Sequence, residues 1–166
     1  MHEQVIIDSL EFAEKSREIR GTIAHPDLPR LADMLAPGDG ALSYVLKGNV
    51  DVRGKPALVL NVKGVLGLLC QRCLKPLEFR VDTVTRFVLV PDEAMLPEQE
   101  EEEDDADYIV ADPHLDVLSL VEDEVLLALP LAPLHDDANC NRAVTAAHEE
   151  KESPFKVLQG LKLKKN

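Results

Sequence analysis

From Leu42 to Leu89 the chain alternates apolar and polar residues in three consecutive segments. Leu42, Tyr44, Leu46, Val50 and Val52 fall on one side of the first, and Ser43, Lys47, Asn49, Asp51 and Arg53 on the other. After a turn at Gly54-Lys55-Pro56, the second places Leu58, Leu60, Val62, Leu66 and Leu68 in an inward row with Asn61 and Lys63 outward, and this row runs into Cys70. The third sets Leu77, Phe79, Val81, Phe87 and Leu89 against Glu78, Arg80, Asp82 and Arg86. Period-two alternation over segments joined by short turns predicts a half-buried antiparallel meander. Strands of this length are expected to curl toward a small barrel.

The flanks add helices. Asp8 and Glu11 have the spacing of a capping box and predict a short helix from Ser9 to about Lys15. Ile19, Gly21 and Ile23 alternate with Arg20 and Thr22 as in a strand, and Leu28, Leu31, Met34 and Leu35 then return at helical spacing until Pro37-Gly38-Asp39-Gly40. Beyond Pro91, eight acids in the ten residues 98–107 repel one another and predict a disordered loop. Tyr108, Ile109 and Val110 suit a short strand. Asp116 caps a helix through Leu129 with an apolar stripe of Val117, Leu118, Val121, Val125 and Leu129. Glu122, Asp123 and Glu124 within it read as a solvated face rather than a catalytic or metal-binding set, because adjacent helical residues point in different directions. The expected fold class is α+β: an antiparallel meander curling toward a small barrel, with packed helices and an acidic disordered loop. Residues 1–135 form a single domain in this reading, and 136–166 a polar segment ending in a short basic amphipathic tail around Phe155, Leu158 and Leu161.

Two of the three cysteines, Cys70 and Cys73, stand on the turn between the second and third segments. A Cys-x-x-Cys on a tight turn aims both sulfurs at one place, which suits half a tetrahedral zinc site or a redox pair. Cysteine is also a small core hydrophobe, and Cys70 continues an apolar row, so packing alone accounts for the pair equally well. The other half of a zinc site would come from His135 and Cys140, with His148 in reserve. A redox pair is the weakest reading, because no obvious helix follows to lower a thiol pKa at its N-terminus. An odd number of cysteines in a reducing compartment does not make a disulfide framework.

Charge narrows the partners. The net charge of −13 is carried unevenly: residues 1–97 total −1, residues 98–150 total −16 and residues 151–166 total +4. A broad nucleic-acid footprint is normally basic. Any RNA contact must therefore use the near-neutral sheet, through Lys47, Arg53, Lys63, Arg80 and Arg86, or the tail, through Lys162, Lys164 and Lys165. Those sheet cations serve equally as members of cross-strand charge pairs on a solvated face. No aromatic set for base stacking accompanies them. The acidic run would repel phosphate and attract basic proteins. The start of the chain lacks a basic leader and a long apolar stretch, and no run reaches the roughly twenty apolar residues of a membrane span, so a cytoplasmic protein is expected.

Three blocks together point to a family. Leu69-Cys-Gln-Arg-Cys-Leu-Lys-Pro76, the run from Leu118 to His135 (LSLVEDEVLLALPLAPLH) and the terminal Pro154-Phe155 segment with its Leu-Lys ending resemble the bacterial YceD proteins, the large ribosomal RNA subunit accumulation proteins. The second block is the specific one. The resemblance implies a non-enzymatic factor in processing, stability or assembly of large-subunit ribosomal RNA, with that RNA or a precursor large subunit as partner. It implies no catalytic residues and establishes no cofactor, zinc remaining the candidate; Cys70, Cys73, His135 and Cys140 match the family's cysteines and histidine. Two other readings stay open: a chaperone-like binder of basic ribosomal proteins through the acidic run, and a zinc- or thiol-dependent enzyme.

Overall fold

The computed structural model describes residues 4–38, 40–97 and 106–140. By internal contacts the chain falls into two units, Met1–Leu134 and His135–Asn166. The first unit contains all the regular elements described, and it is an α+β fold dominated by one sheet.

The sheet is built on the meander that the alternation predicts. β2 (Glu18–Ala24), β3 (Ala41–Val50), β4 (Pro56–Leu69) and β5 (Pro76–Val90) pair antiparallel in sequence order, and β6 (Asp107–Val110) adds to β5 in parallel. β1 (Ile6–Ile7) and β7 (Leu115–Asp116) form a separate two-stranded ribbon that the sequence reading did not contain. The barrel expectation is corrected: β2 and β6 stand at opposite edges and do not pair with each other, so the sheet stays open. The physical reason lies in the helices, which cover the inner face and bury its apolar row without closure.

Register fixes what each face carries. Leu46 lies opposite Leu60, and Leu60 opposite Thr85. Leu42, Leu46, Leu58, Leu60, Val62, Leu66 and Leu68 are fully buried. Val50 and Val52, assigned inward by alternation, are exposed because they run past the covered part of the sheet into the turn. Helix α1 (Ser9–Glu14) starts where Asp8 accepts the Glu11 N–H at 2.9 Å, the capping interaction expected from the spacing. It lies so close to β3 that a Cβ on Gly48 would come within 2.3 Å of the Phe12 carbonyl oxygen.

Helix α2 (Val117–Ala128) is capped by Asp116, which accepts the N–H groups of Leu118 at 2.9 Å and Ser119 at 3.4 Å. Val117, Val121 and Val125 are fully buried in the same core as Leu60 and Leu66. The solvated face expected for its acids is corrected. Glu122 and Glu124 are buried, Glu122 accepting the Arg30 backbone N–H at 2.7 Å and Glu124 the Thr85 hydroxyl, while half-exposed Asp123 pairs with the Arg30 guanidinium. The three adjacent carboxylates do point in different directions, and two of those directions hold another element rather than water.

The helical spacing of Leu28, Leu31, Met34 and Leu35 becomes two short 3-10 turns, His25–Asp27 and Pro29–Leu31. Pro26 and Pro29 each remove a backbone donor, which breaks a longer ladder. The segment then bonds to β4 instead: Ala36 N–H donates to Gly67 O at 2.8 Å and Leu69 N–H to Met34 O at 3.2 Å. Among the described residues no helix is long and apolar enough to cross a membrane.

The β3–β4 turn yields a pH prediction. Gly54 takes φ +77°, and Asp51 Oδ1 accepts the Lys55 and Arg53 N–H groups, each at 2.8 Å. Its other oxygen accepts from Arg86 at 3.2 Å. The Lys55 amide first, then that of Arg53 and the Arg86 guanidinium, hold the Asp51 carboxyl below the ordinary carboxylate range. A lowered folded-state pKa stabilises above the unfolded value of about 3.9, and that stabilisation disappears as pH falls through the folded value. Denaturant midpoints of wild type and Asp51→Asn should therefore differ at pH 7 and converge on acidification below about pH 4. A gap unchanged down to pH 2 would refute the linkage.

Candidate functional site

Two regions hold the chemistry singled out by the sequence, the cysteine turn and the outer face of the sheet. At the turn, Cys70 ends the inward row of β4 and is fully buried, and Cys73 is 7% exposed. The loop closes through Cys70 N–H to Lys75 O at 3.0 Å and Leu74 N–H to Cys70 O at 2.8 Å. Leu74 pays no regard to its usual preference: it adopts φ +56°, a left-handed conformation that costs a branched residue about 1 kcal/mol and persists only where the surroundings impose it. The two sulfurs lie within 4.8 Å of each other. The Gln71 N–H donates to Pro133 O at 2.9 Å, which holds the end of the first unit against this turn.

In the second unit, Asn139 N–H donates to Asp137 Oδ1 at 2.8 Å and Cys140 N–H to Asp137 O at 3.2 Å. This turn folds the chain back toward His135, and a ring nitrogen of His135 and the Cys140 sulfur also lie within 4.8 Å of each other. Each unit thus presents one pair of donors. His148 lies outside the described residues.

The outer face reads off the ladder in rows. One row crosses Glu18, Lys47, Val59 and Arg86, the next Arg20, Val45, Asn61 and Val84, and the third Thr22, Ser43, Lys63 and Asp82. A fourth crosses Ala24, Ala41, Val65 and Arg80. Lys47 pairs with Glu18 at 3.1 Å, Lys63 with Asp82 at 3.2 Å and Arg86 with Asp51 at 3.2 Å. One acid of this face takes two cations: Glu18 also binds Arg20, and these contacts hold its carboxyl low, Arg20 contributing most and Lys47 next. Among the described residues, Arg53 and Arg80 have no ion-pair partner.

Alternation alone missed the apolar part of this face. Val65 is 42% and Val84 65% exposed, with half-buried Val45 near them. The sequence signal was available as breaks in the outward polar pattern. A cleft of about 530 Å³ opens beside the fourth row, lined in part by His25, Pro37, Ala41, Val65, Gly67 and Glu78. Lys162, Lys164 and Lys165, and most of the acidic run, lie outside the described residues.

Residues 58–162, from early β4 through both donor pairs into the C-terminal segment, match a family model described as Large ribosomal RNA subunit accumulation protein YceD. The chain belongs to the YceD family. A YceD relative from Haemophilus influenzae, named Large ribosomal RNA subunit accumulation protein YceD, is 28% identical over 174 residues and covers 95% of each chain. No solved structure matches the chain.

Proposed function

We propose that this YceD protein is a non-enzymatic, cytoplasmic factor of ribosome biogenesis that supports accumulation of large-subunit ribosomal RNA by docking on a precursor of the large subunit. The observation that carries the reading is the family match over residues 58–162, reinforced by a relative of nearly equal length named for large ribosomal RNA subunit accumulation.

The outer face of the sheet is the docking surface in this reading. Most of its cations are engaged with acids, which suits a limited patch and disfavours a broad phosphate track. Arg53 and Arg80 supply the charge left over, and Val65 and Val84 supply apolar contact. Such a surface positions a shaped RNA or protein partner without reading bases.

Sedimentation of tagged protein with precursor large subunits, together with large-subunit ribosomal RNA levels in depleted cells, tests the reading. Co-sedimentation and a selective fall in that RNA are expected. Normal RNA levels in cells lacking the protein would overturn it. If Arg80 contacts phosphate, Arg80→Glu should weaken association with large-subunit RNA and reduce its log–log salt slope by about one. Deleting residues 98–105 should leave that association intact; loss of it would instead favour a binder of basic ribosomal proteins acting through the acidic run.

A further inference from the structure

We propose that the cleft over Gly67, on the outer face of the sheet, receives one unpaired RNA nucleotide, its base in the cleft and its phosphate on Arg80. This inference deepens the docking reading above, on which its choice of RNA rests.

Glycine inside a strand weakens it and calls for a reason: a bulge, a close approach of other atoms, or a ligand. At Gly21, Gly48 and Gly64 the reason is packing. A Cβ there would stand 2.5 Å from the Tyr44 hydroxyl oxygen, 2.3 Å from the Phe12 carbonyl oxygen and 2.4 Å from the Ala41 carbonyl oxygen respectively. Gly67 has no such reason. Its Cβ would meet nothing nearer than the Ala36 Cβ at 3.6 Å, an ordinary van der Waals contact, and its φ is not positive. It pairs with Glu78 in an unbroken ladder, so no bulge requires it either. What the missing side chain leaves open is the floor of the cleft of about 530 Å³, a volume within the range of ligand sites.

The lining suits a flat ring. Ala36, Pro37, Val65 and Pro76 make it largely apolar, and the hydrogen bond from Ala36 N–H to Gly67 O at 2.8 Å fixes one wall to the floor. His25 also lines the cleft, placed there by its backbone N–H, which donates to Gly40 O at 2.7 Å. Its Nε2 is buried with no hydrogen-bond partner among the described residues, an uncommon state for a buried polar atom. Rotation about the soft χ2 torsion of the ring turns that nitrogen toward a ligand.

Charge decides which part of the nucleotide enters. Glu78 brings an acid to the lining, which turns phosphate away from the cleft itself. Arg80 stands at the next outward position of β5, opposite Val65, and has no ion-pair partner among the described residues. Outward neighbours on a strand are about 6.7 Å apart, a distance that a nucleotide bridges between its base and its phosphate. A ring over Gly67 therefore leaves its phosphate at the Arg80 guanidinium. Packing on a bare backbone floor accepts any base, so the cleft distinguishes an unpaired nucleotide from a paired one and does not read sequence. An aromatic side chain of a protein would fill the same space but leave Arg80 unused, and a protein cation drawn to Glu78 would be repelled by Arg80.

The test uses the full chain and a short single-stranded RNA, with the same strand annealed into a duplex for comparison and binding read by fluorescence anisotropy across a salt series. The single strand is expected to bind more tightly than the duplex. Gly67→Val fills the floor and should weaken single-strand binding on the order of tenfold, the scale of one base contact, with the salt slope unchanged. Arg80→Gln should weaken it and reduce the log–log slope by about 0.7. Circular dichroism melts establish that Gly67→Val folds. If it does not, amide shifts of the wild type titrated with adenosine monophosphate decide the matter, and they are expected at Ala41, Val65, Gly67 and Glu78. Equal binding of duplex and single strand, full binding by folded Gly67→Val, or shifts confined to other residues would overturn the assignment. So would loss of precursor association in Gly67→Val when the wild type binds no single-stranded RNA, because the cleft would then hold a protein side chain. RNA bound in the cleft by a protein that does not sediment with precursor large subunits would leave the cleft standing and remove only the ribosomal reading.

Discussion

Gly48→Ala is expected to destabilise the protein by about 3 kcal/mol, more than any surface change, because the added methyl has nowhere to go. Its Cβ would lie 2.3 Å from the Phe12 carbonyl oxygen and 2.7 Å from the Ala13 Cα, both backbone atoms that no rotamer change can move. Relief requires α1 to withdraw from β3. That movement also strains the hydrogen bond from Gly48 N–H to Arg17 O at 2.8 Å. For a chain of this size the thermal midpoint should fall by roughly 10 °C. Circular dichroism melts of the variant beside wild type provide the measurement; a shift under about 2 °C would show that α1 is not seated where the structure puts it.

Leu60→Ala should cost a similar amount, about 3–4 kcal/mol, by a different route. Leu60 is fully buried, faces Leu46 on one neighbouring strand and Thr85 on the other, and lies beneath the helices. Truncation removes its transfer free energy and leaves a cavity that a rigid sheet collapses into poorly. Val84→Ala on the opposite face is the control: at 65% exposure it should change stability by less than about 0.5 kcal/mol. Urea unfolding of both variants decides it. Equal effects at the two positions would mean that inner and outer faces have been exchanged.

The strands were legible in the sequence because period two is a local signal, and β3, β4 and β5 differ from the expected segments only at their ends. The caps at Asp8 and Asp116 were legible for the same reason, since each is settled within one helical turn. What escaped depends on partners distant in sequence. Glu122 and Asp123 look like solvent-facing acids until Arg30 is brought to them, and Glu124 until Thr85 is. The segment from Leu28 to Leu35 keeps its buried leucines at helical spacing, yet Pro26 and Pro29 and the waiting groups of β4 decide its backbone. Closure of the sheet was not legible either, because alternation reports which face is apolar but not whether helices or strands cover it.

The candidate site divides in the same way. Cys70 and Cys73 could be paired from their spacing, and the turn that holds them follows from the strands on either side. Linking them to His135 and Cys140 rests on residue type, because those two donors belong to the second unit. On the outer face, the cations stood out in sequence, but the acids that occupy Lys47, Lys63 and Arg86 became visible only through strand register. Val65 and Val84 were passed over because an exposed valine has no charge to mark it.

The parallel attachment of β6 has a consequence for where the chain tolerates change. Pairing of Phe87 with Asp107 and of Val90 with Val110 requires the chain to retrace only four residues of strand, about 13 Å. Sixteen residues, 91–106, connect the two strands, and a chain of that length can span about 50 Å. The ladder consequently sets the two ends of this connection, and its sixteen residues far exceed the length the return requires. A reporter group or a short insertion placed there would keep every strand in its present alignment.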